Sequence, residues 1–209
     1  MDLATLEQAA RAQYLTVAGA FHPDDMPGTL ALLAPHEPGF WAQFTTSPEY
    51  RDGAPDPMDR WSTHAVTALA DNLGATALFP FGGPPWQPFI RFATRTGRIH
   101  KSPVSLLVHD QQGLMISFRG ALVLPDRIDL PPPPLSPCLL CPAPCEEACP
   151  VDALSEDGYD TAACHAFLDT PAGKDCMDNG CKARRACPVS AAFPRPEAQS
   201  AFHMRSFHP

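Results

Sequence analysis

The first 137 residues of this 209-residue chain contain no cysteine; all eight cysteines fall between Cys138 and Cys187. Glycine is scarce beside proline, 13 residues against 26. That balance predicts many ordered loops and few long regular elements. No apolar run approaches the roughly 18 residues that a membrane span requires. The opening MDLATLEQAARAQ lacks a basic start followed by an apolar stretch and carries Asp2 and Glu7, so it does not read as a secretory leader. Positive charge is in deficit, with a formal net charge of -8 and a pI near 5.4, which argues against a dedicated nucleic-acid binder. These absences predict a cytoplasmic protein outside the membrane. The 44% hydrophobic residues are enough for a core. In a reducing compartment, clustered cysteines favour metal or redox chemistry over structural disulfides.

The cysteines form two groups. The first is Cys138-x2-Cys141-x3-Cys145-x3-Cys149-Pro150; the second is Cys164, then Cys176-x4-Cys181-x5-Cys187-Pro188. A short loop can supply three thiolates to a [4Fe–4S] cubane, but the fourth corner is hard to reach locally. In two-cluster ferredoxins the fourth cysteine of each run ligates the other cluster. On that rule one cluster takes Cys138, Cys141, Cys145 and Cys187, and the other takes Cys149, Cys164, Cys176 and Cys181. No cysteine is left over. Two zinc sites of four cysteines would use the same number, although zinc modules favour paired knuckles separated by a longer gap. Four disulfides would need an oxidising compartment. The three residues between Cys141 and Cys145 exceed the two of the bacterial ferredoxin run, and Pro142 and Pro144 can stiffen the longer loop.

Residues 131–137, inside the stretch LPPPPLSP, separate the two compositions. Consecutive prolines favour an extended spacer without internal hydrogen bonds. The reading is α+β, with an α/β domain over 1–130 and a cysteine domain over 138–209. In the first, Leu3 to Gln13 suits a helix, and YLTVAGAF, TLALLAP and ATALFPF suit strands. DPMDRWSTHAVTALADNLG suits a long helix with Asp56 as its cap and Gly74 at its exit. PFIRFATRTG suits a short helix with Phe89, Phe92 and Ala93 inward. In SPVSLLVHDQQGLMISFRGALVLP, two apolar runs flank Asp110-Gln111-Gln112-Gly113, which predicts a hairpin. The terminal FHMRSFHP reads as a mobile tail.

CLLCPAPCEEACPVDAL, YDTAACHAF and CMDNGCKARRACPVS together resemble the dicluster ferredoxin module of epoxyqueuosine reductases, which also places a lone cysteine, here Cys164, between its two runs. The resemblance covers Cys138 to Ser190 and implies the same exchanged ligation. SPVSLLVHDQQGLMISFRGALVLPDRIDLP is similar to a hairpin of the cblC-type cobalamin-trafficking protein, whose fold is nitroreductase-like. MPGTLALLAP and the long helix fit that family's earlier elements. Epoxyqueuosine reductases likewise carry a cobalamin-binding domain before their clusters. They also have a C-terminal repeat region and an acidic proton donor near the cobalamin. This chain stops soon after its last cysteine and has no Asp or Glu from Leu73 through His109.

FPFGGPPWQPFIRF is the most unusual stretch of the first domain. Phe79, Phe81 and Trp86 could line a flat apolar pocket, and Gly82 and Gly83 allow close backbone approach. Arg91 and Arg95, in the only cationic stretch without acids, could hold anionic groups of a large ring cofactor such as a corrinoid. The plainer alternatives are an aromatic loop packed on the core and a solvated helix face. No residue is assigned a catalytic role. The expected function is electron transfer through two [4Fe–4S] clusters to a redox partner protein or a bound cofactor, as an oxidoreductase component. A corrinoid-dependent reductase and a zinc-stabilised binding protein are the alternatives.

Overall fold

The computed structural model describes residues 1–209. The elements run α1 (Leu3–Ala12), β1 (Leu15–Phe21), β2 (Thr29–Pro35), α2 (Gly39–Thr46), α3 (Pro48–Arg51), α4 (Pro57–Leu73), β3 (Thr76–Leu78), α5 (Phe89–Arg95), β4 (Ile99–Lys101), β5 (Leu107–His109) and β6 (Gly120–Leu124). Then follow β7 (Leu154–Ser155), β8 (Gly158–Tyr159), α6 (Thr161–Leu168), a 3-10 turn (Pro171–Gly173), α7 (Lys174–Asn179), α8 (Lys182–Ala186), α9 (Pro188–Ala192) and α10 (Glu197–Phe207). The fold is α+β, and every strand pair is antiparallel. No helix is long and apolar enough to cross a membrane.

The chain forms two compact units. Unit 1 comprises Met1–Arg98 and Ser117–Pro134; unit 2 comprises Ile99–Ile116 and Leu135–Pro209. The proline run Pro131–Pro134 is exposed and has no regular structure. Ile99–Ile116, placed by the sequence reading in the first domain, folds with the cysteine-bearing unit.

Unit 1 is built on a four-stranded sheet of order β1-β2-β6-β3. Every residue of β2 is buried, which its run TLALLAP requires of a strand covered on both faces. Leu30, Leu32, Leu33, Leu122 and Leu124 are among its fully buried side chains. Burial of each contributes about 1.5–3 kcal/mol before opposing terms. α4 packs on β6 and β3, and α1 on β1. Trp61 from α4 meets Phe40 edge-on at 5.1 Å, and Phe40 stacks with Phe44 at 5.9 Å.

The long helix begins and ends where its sequence signals fall, with one difference. Asp56 holds the N-cap position in a left-handed conformation (φ 53°), and its side chain accepts no capping hydrogen bond. Pro57 fixes the first turn instead. Gly74 leaves the helix at φ 62°, the conformation that favours glycine there. Phe89, Phe92 and Ala93 of α5 are buried.

The hairpin expected across Asp110–Gly113 does not form between the two apolar runs. The turn is present, with His109 and Gly113 exchanging backbone hydrogen bonds at 3.0 Å. But β5 pairs backwards with β4, whereas β6 enters the unit 1 sheet between β2 and β3. The apolar pattern identified the strands correctly; it could not say which partner each would choose.

Unit 2 has short helices and two small hairpins. Its last segment is α10, which packs on α7, so the expected mobile tail is a helix. His208 lies 2.8 Å from Asp169, and Phe207 stacks on Tyr159 with centroids 5.9 Å apart.

Candidate metal centre

The first cysteine loop advances by turns. The N–H of Cys141 donates to the Cys138 carbonyl at 3.3 Å, that of Glu146 to Ala143 at 3.0 Å, and that of Asp152 to Cys149 at 3.2 Å. The extra residue between Cys141 and Cys145 is absorbed at Ala143, which sits at φ 52° between Pro142 and Pro144. For a residue with a Cβ, that left-handed conformation costs about 1–3 kcal/mol. The longer spacing thus becomes a tight corner between two prolines of fixed φ.

The second group is carried by helix ends. Asp160 caps α6 by accepting from the Ala163 N–H at 2.9 Å, and Cys164 sits in that first turn. Cys176 is buried on α7. Gly180 ends the helix at φ 90°, Cys181 precedes α8, and Cys187 lies between α8 and α9. Cys187 is extended, and Pro188 at the first position of α9 redirects the chain after it.

These elements bring thiols of the two sequence groups within reach of one another's charge. Burial, then the charges of Cys141 and Cys187, pushes the Cys138 thiol above its ordinary pKa. Burial likewise raises Cys145, with added repulsion from Cys187, Cys138 and Cys141 and an opposing hydrogen bond from its own N–H. In the second group, burial raises Cys164, opposed by a hydrogen bond from Tyr159 and reinforced by Cys181, Cys149 and Cys176. Burial also raises Cys176, whose sulfur is approached by the Lys182 N–H and feels the Cys181 charge. Cys138 and Cys145 thus feel Cys141 and Cys187, Cys164 feels Cys149, Cys176 and Cys181, and Cys181 also packs against the core that holds Cys145 and Cys187. Cys187 reaches the first sequence group in this way, and Cys149 the second.

Thiols held protonated by burial and mutual repulsion become thiolates when a cation replaces the protons. No three His, Cys, Asp or Glu residues lie close enough to share one ion. A cubane makes a different demand, because each of its irons takes one thiolate and the four sulfurs stand around a body, not around a point. The first set opens onto a cavity of ≈ 290 Å³, whose wall includes all four of its cysteines together with Val108 and Leu114.

Ile99–Ile116 forms one wall of this region, a role that the sequence did not reveal. Val104, Val108 and Leu114 share a buried core with Cys145, Leu154, Ala183 and Cys187. The Leu114 N–H donates to the Ser190 Oγ at 2.8 Å, and Arg184 donates to the Leu114 carbonyl. Gly113, at φ 58°, lies against Ser190 so closely that a side chain there would collide with it. The turn glycine was visible in the sequence; its partner, three residues beyond Cys187, was not.

In unit 1, Phe79 and Phe81 lie with ring centroids 5.3 Å apart. Gly82 and Gly83 have φ of 99° and 100°, with open space where side chains would stand. Trp86 is 64% exposed, and Arg91 is exposed. Arg95 differs from the expectation of an uncompensated cation. It pairs with Asp24 at 2.7 Å and lies over the Phe21 ring at 4.6 Å. Its partner comes from the turn between β1 and β2, outside the acid-free stretch from Leu73 to His109.

No family model and no curated protein matches the chain.

Proposed function

We propose that the chain is an iron–sulfur electron-transfer protein holding two [4Fe–4S] groups, one on Cys138, Cys141, Cys145 and Cys187, the other on Cys149, Cys164, Cys176 and Cys181. Bound there, such groups take up and return single electrons at potentials tuned by their surroundings. The observation that carries this reading is the cavity wall on which Cys187, from the second sequence group, joins Cys138, Cys141 and Cys145 of the first. In this reading unit 2 is a ferredoxin-type two-cluster domain. Pro150 and Pro188 turn the chain away after the exchanged ligands, and Val104, Val108 and Leu114 keep water from the first set. Unit 1 is read as a cblC-like, nitroreductase-like domain that docks a redox partner protein.

Anaerobic purification followed by iron and sulfide analysis tests this. About eight of each per chain is expected for two cubanes. Zinc bound in place of iron, in a colourless protein, would replace this reading with a zinc-stabilised binding protein.

A second reading rests on the loop of Phe79, Phe81 and Trp86, where the open space over Gly82 and Gly83 would admit a flat apolar ring. There the protein would be a corrinoid-dependent reductase, with unit 2 supplying electrons. Arg91 is the cation left for the ligand's anionic groups, since Arg95 is held by Asp24. Saturable cobalamin binding weakened by Trp86→Ala would support it; no binding at near-millimolar cobalamin would remove it.

A further inference from the structure

The two cysteine sets sit in chemically unlike surroundings. The Tyr159 hydroxyl donates to the Cys164 sulfur at 3.2 Å, and the Ala153 N–H to the Cys149 sulfur at 3.3 Å. Lys182 directs its N–H to the Cys176 sulfur, and the Arg184 guanidinium lies near enough to Cys181 and Tyr159 to feel their charges. At the first set the donor is the N–H of Cys145 toward its own sulfur. The wall of the cavity beside the first set includes Val108, Leu114, Ser102 and prolines, and Cys181 of the other set packs against the same apolar core.

A hydrogen bond into a thiolate draws off electron density. It stabilises the more negative, reduced state more than the oxidised state, and so raises the potential. A nearby cation acts in the same direction. A mostly apolar wall acts in the opposite one, because added negative charge is poorly solvated there.

We propose that Tyr159, by donating its hydroxyl to Cys164, makes the set of Cys149, Cys164, Cys176 and Cys181 the higher-potential site, so that electrons pass to it from the set closed by Cys187. The inference rests on the iron–sulfur reading above. The step moves one electron and makes or breaks no bond: the Cys187 set is oxidised as the Cys164 set is reduced. A low-potential one-electron donor protein supplies the first set.

The fold gives Tyr159 a support suited to this role. Its ring is stacked on Phe207 at 14° between planes, at the end of α10. The residue after Phe207, His208, is tied to Asp169 at 2.8 Å, and Asp169 follows α6, the helix that carries Cys164. Donor and acceptor are thereby fixed from both sides. Tyr159 is a positioning residue that acts through a ligand. A purely structural role would need the ring and not the hydroxyl.

The test is an anaerobic potentiometric titration of the full iron-replete chain, followed by electron paramagnetic resonance, on the wild type, Tyr159→Phe and Phe207→Leu. Two separate midpoints are expected in the wild type. Tyr159→Phe should lower the higher midpoint and leave the lower one and the iron content unchanged. Phe207→Leu, which keeps the hydroxyl but loosens its support, should shift the same midpoint by less. Combination of Tyr159→Phe with Cys187→Ser shows which set moves: the signal that survives should be the shifted one. Unchanged midpoints in Tyr159→Phe at full iron content, or a shift of the lower midpoint, would overturn the inference while leaving the two-cluster reading intact. A chain that takes up no iron and sulfide would overturn both.

Discussion

In unit 1, Leu30, Leu32, Leu33 and Leu122 lose all contact with solvent. In unit 2, the buried positions include Cys145, Cys176 and Cys187. The first interior is complete in itself: hydrocarbon packs on hydrocarbon, and the sheet satisfies its own backbone groups. The second is lined with thiols that repel one another once ionised, and its helices after Cys176 have only 5 to 11 residues. Helices of five residues contribute little stability alone. The contrast teaches that unit 1 draws its stability from burial, whereas the proposed clusters would supply unit 2 with a link between its thiols that its short helices do not.

Removal of iron should separate the units most sharply. A chelator with reductant should collapse amide protection across unit 2, as small metal domains lose their fold with their metal. Protection in β1, β2 and β6 should persist. Hydrogen exchange read by mass spectrometry checks this, and equal loss in both units would erase the contrast.

A substitution in the hydrocarbon core should do the reverse. Leu32→Ala should destabilise unit 1 by about 2–5 kcal/mol through lost burial and the cavity left behind. Chemical denaturation would register it as a lower midpoint for the sheet, with iron content unchanged.

Gly113→Ala probes the contact between the Ile99–Ile116 segment and α9. A Cβ there meets Ser190, and φ is 58°. A left-handed non-glycine residue costs about 1–3 kcal/mol, and the clash adds to it. The first set should lose occupancy before the second, visible as loss of one paramagnetic signal. Ser190→Ala, which removes the hydroxyl but not the fit, should leave both signals in place.

The smallest effect belongs to the surface of unit 1. Arg60, then the Ala54 N–H, holds the Asp52 carboxyl below its ordinary pKa of 3.8. A depressed folded-state pKa gives stability that is present above the unfolded value and is lost as pH falls through the folded one. Asp52→Asn should therefore flatten the acid limb below pH 3.8 and change little at neutral pH. A thermal-melt series across that range checks it.

Much of this was legible in the chain, for identifiable reasons. Cysteine spacing and the two Cys-Pro steps are local marks, and on them the proposed two sets rest. The apolar run of TLALLAP and the Gly74 exit are local signals. Strand pairing is not local: Leu107–His109 and Gly120–Leu124 read as one hairpin, yet their hydrogen bonds go to different sheets. Neither the Gly113–Ser190 contact nor the bond from Tyr159 to Cys164 has any mark in composition or period. The tail read as mobile because it is a short terminal segment; its order comes from Phe207 on Tyr159 and from His208 beside Asp169.

The exchange of the fourth ligand is the central claim, and paired cysteine variants test it most directly. Iron-replete Cys138→Ser, Cys176→Ser and Cys187→Ser would be compared by electron paramagnetic resonance after reduction. Cys187→Ser should leave the same residual signal as Cys138→Ser, although 49 positions separate them in the chain. A residual signal matching that of Cys176→Ser, its neighbour in sequence, would contradict the account.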